Sequence, residues 1–214
     1  MARTRMTPAA RRAVIERAAT EVFAEYGYHD ASVDEIAKRS GISVPVLYDH
    51  FKGKRELHRH LLERHYADLR AIWDIHLDGS APADQRISQT IDAWFAYVEE
   101  HPFAWRMLFR DTTGQDEIEK LRREVAAESR KLILPLFARE RGVNDLDTLD
   151  LELAWEAWSA SIQGLALWWY EHPEVPRRRL VETTMNALWI GLERVRTGIT
   201  WRAEPTSAHA SEST

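Results

Sequence analysis

Four histidines and two glutamates lie close together between residues 56 and 76, and side chains of these types commonly bind transition-metal ions. A helical metal site needs ligands three or four residues apart, as in the HExxH pattern, because that spacing puts both side chains on one face. The histidines are instead separated by two, five and eleven residues. We therefore predict no metal site and interpret them as solvated; a metal-responsive regulator or a helical metalloenzyme is the alternative. The six residues are Glu56, His58, His60, Glu63, His65 and His76.

Other catalytic patterns are missing from the sequence. It contains no phosphate-binding glycine loop, nucleophile elbow or dinucleotide fingerprint, and no cysteine for thiolate chemistry. We therefore expect no catalytic residues, no cofactor and no enzymatic activity. Absence of cysteine is typical of a reducing compartment such as the cytoplasm, and no apolar run approaches the ~18 residues of a membrane span. We expect a cytoplasmic protein without a membrane partner.

The nine tryptophans all follow residue 70. They could simply fill a helical core, or they could line a cavity for an apolar or amphipathic ligand, since such pockets are rich in aromatic side chains. Arg106 and Arg110, one helical turn apart, could anchor a ligand carboxylate, or could pair with Asp111. The candidate ligand-binding residues are Trp73, Trp94, Phe95, Trp105, Arg106, Phe109, Arg110, Trp158 and Gln163.

Helical periodicity runs through nearly the whole chain, and no alternating strand pattern is visible. The sequence thus predicts an all-α fold of about nine helices. Thr7 and Pro8 are a favourable cap and first residue for the first helix, and Gly27 ends it. Its predicted buried face holds Ile15, Ala18, Ala19, Val22 and Tyr26. Later helices are predicted over 54–77, 83–100, 102–111, 115–140, 148–171 and 177–197.

The residues around Gly41 carry the clearest functional pattern. Ser32 and Glu35 form a capping box for a short second helix, and a third begins after Ser43 and runs to about Phe51. Two short helices joined by a glycine turn, with a longer helix behind them, are typical of a helix-turn-helix. In that motif the second short helix enters the major groove of DNA. The pattern therefore predicts a DNA-binding head.

Charge is unevenly distributed along the chain. The total is −5, but residues 1–64 carry +3 and the rest −8. This asymmetry favours a small basic module on an acidic body. We predict a helix-turn-helix domain over 1–53, an effector-binding and dimerisation domain over 54–202 and a disordered tail over 203–214.

The segment RRAVIERAATEVFAEYGYHDASVDEIAKRSGISVPVLYDHFKGKRELHRHLL resembles the DNA-binding part of the tetracycline-repressor (TetR) family of bacterial regulators. The resemblance implies an N-terminal three-helix head joined to a helical ligand-binding and dimerisation domain. It also implies double-stranded DNA, a second copy of the chain and a small effector as partners. The matched positions are Ala18, Phe23, Gly27, Ser32, Ile36, Ala37, Gly41, Ser43, Leu47, Tyr48, Phe51, Lys54 and Leu57.

Contacts to the DNA backbone are expected from hydroxyls, helix N-termini and flanking cations. The resemblance implies such contacts for Tyr48 and Lys54. We add His50 and Lys52 as plausible contacts, and Ser32 and Ser43 because they begin helices whose amides can face phosphates. Arg3 and Arg5, before the first helix, could enter a minor groove.

Base reading is expected from the start of the third helix. Val44, Pro45 and Val46 can touch thymine methyls, and Asp49 could accept from cytosine N4. Val46 could equally belong to the core, and Asp49 could instead pair with a nearby cation. Leu47 and Phe51 are expected to be buried.

The predicted eighth and ninth helices carry broad apolar stripes that could be core, dimer interface or both. The resemblance implies pairing of two subunits through these helices. We expect a repressor that a small apolar or amphipathic effector releases from a palindromic operator, by changing the spacing of the two heads. An activator, or a ligand-free architectural DNA binder, is the alternative. The apolar positions are Trp155, Trp158, Ile162, Leu165, Ala166, Trp169, Val181, Met185, Leu188, Trp189, Leu192 and Val195.

Overall fold

A computed structural model describes residues 6–77, 80–109 and 148–191, together with Arg194 and nine residues between 119 and 134. Within these residues every regular element is a helix, as predicted. The helices are α1 (Pro8–Asp30), α2 (Val33–Ser40), α3 (Val44–Tyr48), α4 (Lys54–Leu77), α5 (Ala83–Glu100), α6 (Pro102–Phe109), α7 (Thr148–Glu171) and α8 (Arg177–Thr184). A short π-helical turn, Met185–Trp189, continues α8.

The approximate ranges predicted for α4, α5 and α7 coincide with the bounds in the structure. The predicted eighth and ninth helices are α7 and α8. The predicted seventh helix, 115–140, lies mostly outside the described residues, although those described between 119 and 134 are helical. Arg3, Arg5, Arg110 and the predicted tail over 203–214 also lie outside them.

The N-caps of α1 and α2 follow the sequence, with one exception. Thr7 Oγ1 accepts from the Ala10 amide at 3.2 Å, and Ser32 Oγ accepts from the amides of Asp34 and Glu35. The capping box is only half formed, because the Glu35 carboxylate accepts from Arg39 at 2.9 Å instead of returning to Ser32. Gly41 ends α2 at φ +67°, a left-handed conformation that glycine adopts at low cost. This turn sets the direction in which α3 leaves.

One apolar core runs through both halves of the chain. Leu47 and Phe51 are buried under α1 and α4, and the same core continues to Trp73 and Phe95. Both α6 and α4 pack against α1, and these contacts join the head to the rest of the chain. Tyr26, predicted to face inward, is instead 48 % exposed, because its ring packs on the surface beneath the Arg39 guanidinium.

The interpretation of the α4 histidines as solvated is wrong for two of them. His58 and His65 are only 5 % and 7 % exposed, because α4 packs against α1 on one side and α5 on another. His58 lies against the rings of Phe23 and Tyr28, while His65 Nδ1 hydrogen-bonds the Tyr97 hydroxyl at 2.7 Å. No group of three possible metal ligands exists among the described residues.

Buried His65 makes stability depend on pH. Burial, reinforced by the positive charge of Arg64, lowers the pKa of His65 from 6.5 to about 4. Between these values the unfolded chain binds the extra proton, so the free energy of unfolding must fall as pH drops from 6.5 to 4. We expect this fall in the free energy of unfolding to be on the order of 2 kcal/mol, and we expect His65→Gln to remove it. Urea unfolding of both proteins at several pH values measures it; parallel curves would contradict the assignment.

Candidate nucleic-acid interface and effector cavity

The outer face of α3 carries three exposed side chains at helical spacing. Pro45, Tyr48 and Asp49 all face solvent, with Tyr48 49 % exposed. Leu47 and Phe51, on the opposite face, are 0 % and 1 % exposed, as predicted. One face of the short helix is therefore packed against the core and the opposite face is open to solvent, which is the geometry that groove insertion requires.

The valines of α3 and the serine before it are placed differently from one another. Val44 and Val46 are half-buried, and Val44 packs against the core. Ser43 is exposed, and its hydroxyl makes no capping hydrogen bond. Pro45 occupies the second helical position and has no N–H, so one of the two donors that a cap normally engages is missing. The Ser43 hydroxyl is consequently available to an external acceptor.

The cations that follow α3 have different partners. Lys52 is exposed, and within the described residues only its backbone amide is engaged, by Glu56 Oε2 at 2.9 Å. Lys54 Nζ donates to the carbonyls of His29 and Ala31, both at 3.0 Å. The Lys54 ammonium thus ties the start of α4 to the end of α1. The half-buried His50 contributes its carbonyl to an internal contact with Arg12.

A cavity of about 330 Å³ lies between α4, α5 and α7. Its volume falls in the range of small-molecule sites. Trp73, Trp94, Phe109, Trp158 and Gln163, all predicted ligand-binding residues, line it. The Gln163 amide has no hydrogen bond within the described part of the chain, so a ligand could engage it.

Three other predicted ligand-binding residues do not line this cavity. Phe95 and Trp105 are buried behind it, each edge-on to Trp94 with ring centroids 5.2 and 5.1 Å away. Arg106 Nη1 donates to the Tyr170 hydroxyl at 3.1 Å, which directs the guanidinium away from the cavity.

Sequence reasoning missed much of the lining. Tyr66 and Leu69 lie on the same face of α4 as Trp73, at spacings of seven and four residues, and this periodicity could have identified them. The remaining side chains of the lining come from α5, from α7 and from the helical residues near 120. They are Thr90, Ile91, Glu119, Arg123, Trp155, Glu156, Ser159, Ala160 and Ile162.

A three-helix head with an exposed short helix, joined to a helical body with an aromatic cavity, is the architecture of a transcription regulator that responds to a small molecule. The family model of tetR-family bacterial regulatory proteins matches residues 15–61. That of the tetracyclin repressor-like C-terminal domain matches residues 83–191. The chain belongs to the tetR family of transcription regulators, which bind DNA and respond to ligands.

Named relatives are also regulators. The chain is 30 % identical to the transcriptional activator FasR of Mycolicibacterium smegmatis, over 86 % of this chain and 84 % of FasR. A TetR-like regulator from Rhodococcus sp. RHA1 has the same fold, with a TM-score of 0.75 at 21 % identity over 88 % of this chain and 99 % of that one. FadR of Bacillus subtilis, solved with stearoyl-CoA, has a TM-score of 0.63 at 20 % identity, over 88 % and 99 %.

The internal hydrogen bonds of Lys54 predict a selective effect on stability. Lys54→Met keeps the apolar stem but removes two charged hydrogen bonds to carbonyls, so we expect a loss of about 1–2 kcal/mol in the free energy of unfolding. Lys52→Met is the matched control and should change it by less than about 0.5 kcal/mol. Urea unfolding followed by circular dichroism measures both. Equal effects of the two substitutions would contradict an internal role for Lys54.

Proposed function

We propose that two copies of this chain bind a two-fold symmetric DNA site, and that a small apolar or amphipathic effector in the α4–α5–α7 cavity lowers this affinity. The observation that carries the proposal is the course of α4. Leu57, in its first turn, lies in the same apolar core as Leu47 of α3, while Tyr66, Leu69 and Trp73 further along line the cavity. A ligand that displaces α4 therefore acts on the placement of α3.

The exposed face of α3 supports a division of roles at the DNA. Pro45, with the accessible part of Val44 and Val46, suits thymine methyls. Asp49 is exposed and pairs with no cation among the described residues, which favours a base contact over the internal ion pair that was the alternative. We assign Ser32, Ser43, Tyr48, His50, Lys52 and the remaining donor of Lys54 to the phosphate backbone.

We further propose that α7 and α8 form the dimer interface. Trp155, Trp158, Ala166 and Trp169 of the predicted stripe are buried inside the subunit. A different face of α7 is left exposed, and its residues recur every three or four positions. A Cβ added at Gly164 on this face would meet nothing within 4 Å, so a partner helix can approach closely. The exposed residues are Leu153, Ala157, Ala160, Gly164 and Leu167, of which Ala160 also borders the cavity.

The composition of the cavity supports an effector with a long apolar part. Four tryptophans line it, with the Gln163 amide among the polar groups. The stearoyl-CoA bound to FadR of Bacillus subtilis shows that this fold accommodates a ligand with a long hydrocarbon chain. FasR is named an activator, and whether DNA binding represses or activates depends on where the operator lies. We therefore propose ligand-controlled DNA binding and leave the direction of regulation to the operator.

A regulator of this kind acts on the chromosome, and we propose a cytoplasmic location on that ground. None of the helices within the described residues is long and apolar enough to cross a membrane. We do not propose a metal-responsive or enzymatic role, because no observation among the described residues favours one.

Selection of duplexes from a random pool tests DNA recognition. We expect a site with two-fold symmetry and half-sites about 10 base pairs apart or a multiple of this. Tyr48→Phe should weaken binding to all duplexes by about fivefold, because it removes one hydroxyl hydrogen bond. Pro45→Ala should change the preferred base, where one mismatch is worth about 1–3 kcal/mol. A single half-site, or a changed preference in Tyr48→Phe, would contradict these roles.

Stearoyl-CoA and stearate are suitable probes of the cavity. We expect at least one of them to quench tryptophan fluorescence, raise the melting temperature and lower the affinity for the selected duplex about tenfold. Ile162→Trp should abolish all three effects because it fills the cavity. Ile75→Trp is the matched control, since Ile75 is 71 % exposed and outside the lining. Failure of both probes would exclude a long-chain acyl effector.

A further inference from the structure

A buried carboxylate joins the head to α4. Glu16, in the middle of α1, is only 7 % exposed. Burying a charged carboxylate is costly unless cations and hydrogen-bond donors surround it. Glu16 faces α4. Glu25, which is exposed, and Glu35, which is half-buried, instead pair with Arg39 on the surface of the head.

Three side chains from two helices surround the Glu16 carboxylate. Arg12 Nε donates to Oε1 at 3.1 Å, and His60 Nε2 lies 2.8 Å from the same oxygen. Arg64 Nη1 donates to Oε2. One partner belongs to α1 and two to α4, so both carboxylate oxygens are engaged and the two helices are joined at this point.

Arg12 extends this connection to the end of α3. Its guanidinium lies over the Phe51 ring, 4.3 Å from the centroid, and Nη1 donates to the His50 carbonyl at 3.5 Å. Phe51 in turn lies beside His60, with ring centroids 5.5 Å apart. The residues that follow α3 are therefore held by an arginine that Glu16 in turn holds.

We propose that Glu16 is a positioning residue for DNA recognition: by holding Arg12 against His50 and Phe51, while bound by His60 and Arg64, it sets the placement of α3 on α4. The inference rests on the proposed role of α3 at the DNA. Glu16 itself is buried and has no hydrogen bond or ion pair with a side chain of α3, so it acts through Arg12.

The sign of the mutational effect separates this role from general electrostatics. Removing one negative charge from a DNA-binding head should by itself strengthen binding to the polyanion. Positioning predicts the opposite for Glu16→Gln, because Arg12 loses its anchor and Arg12 and Arg64 lose their shared counter-charge. The two effects thus differ in direction and not only in size.

The test compares Glu16→Gln with Glu21→Gln in the full chain, on the duplex selected by the wild-type protein. Glu21 lies on the same helix and has no ion pair or hydrogen bond among the described residues, so its substitution changes the charge equally. We expect Glu16→Gln to weaken binding about tenfold with an unchanged salt slope, and Glu21→Gln to leave binding equal or stronger. An affinity of Glu16→Gln at or above wild type would overturn the proposal.

A double variant shows whether Glu16 acts through Arg12. Glu16→Gln added to Arg12→Leu should cause no further loss of affinity, because Glu16 then no longer has the Arg12 guanidinium to position. Losses that add in full would overturn the connection. A general loss of stability, by contrast, would lower affinity in the double variant beyond either single change.

Amide hydrogen exchange tests the same role without DNA. The amides of His50 and Phe51 both donate to the Leu47 carbonyl, and we expect them to exchange at least about tenfold faster in Glu16→Gln than in Glu21→Gln. Equal rates would overturn the proposal. If the wild-type protein selects no duplex, the proposed function fails, and the exchange rates still decide what Glu16 does.

Discussion

On the role proposed for α3, recognition of DNA depends on the burial of two side chains, Leu47 and Phe51, beneath a helix too short to hold its own conformation. α3 has five residues, and an isolated helix of that length is unstable because nucleation costs more than so few hydrogen bonds return. Its conformation must therefore come from tertiary contacts. Gly41 sets the direction in which the chain enters, and the core under α1 and α4 holds the two side chains.

The same dependence explains how a distant cavity can affect the DNA-facing surface. α4 begins three residues after Phe51 and runs without interruption to Leu77, past the cavity. Leu57 and Leu61 lie in the core shared with the head, while Tyr66 and Trp73 contact the void. Packed interiors resist continuous deformation. A displacement of α4 therefore either moves the head together with α4 or changes the packing between them in one discrete step.

The helices and the helix-turn-helix could be predicted from the sequence because both leave local marks: caps, breaks and a 3.6-residue period. Other features depend on partners far along the chain. Trp94 and Phe95 are neighbours on one helix, yet only Trp94 borders the cavity, because periodicity identifies a buried face without showing where a void lies. The resemblance implies a phosphate contact for Lys54, and nothing in the sequence indicates that carbonyls about 25 residues earlier also accept from its ammonium. The buried histidines were misjudged because α4 is enclosed on two sides.

The basic surplus of the N-terminal part of the chain is a poor guide to its affinity for DNA. Residues 1–64 carry a net charge of +3, but several of their cations are engaged internally. Arg12 pairs with buried Glu16, Arg39 with Glu25, and Lys54 with carbonyl groups. Charges used in this way organise the fold and release few counterions from a duplex. On the role proposed for α3, affinity rests more on the exposed hydroxyls and the close fit of this helix, and so on how accurately the core and the Glu16 contacts place it.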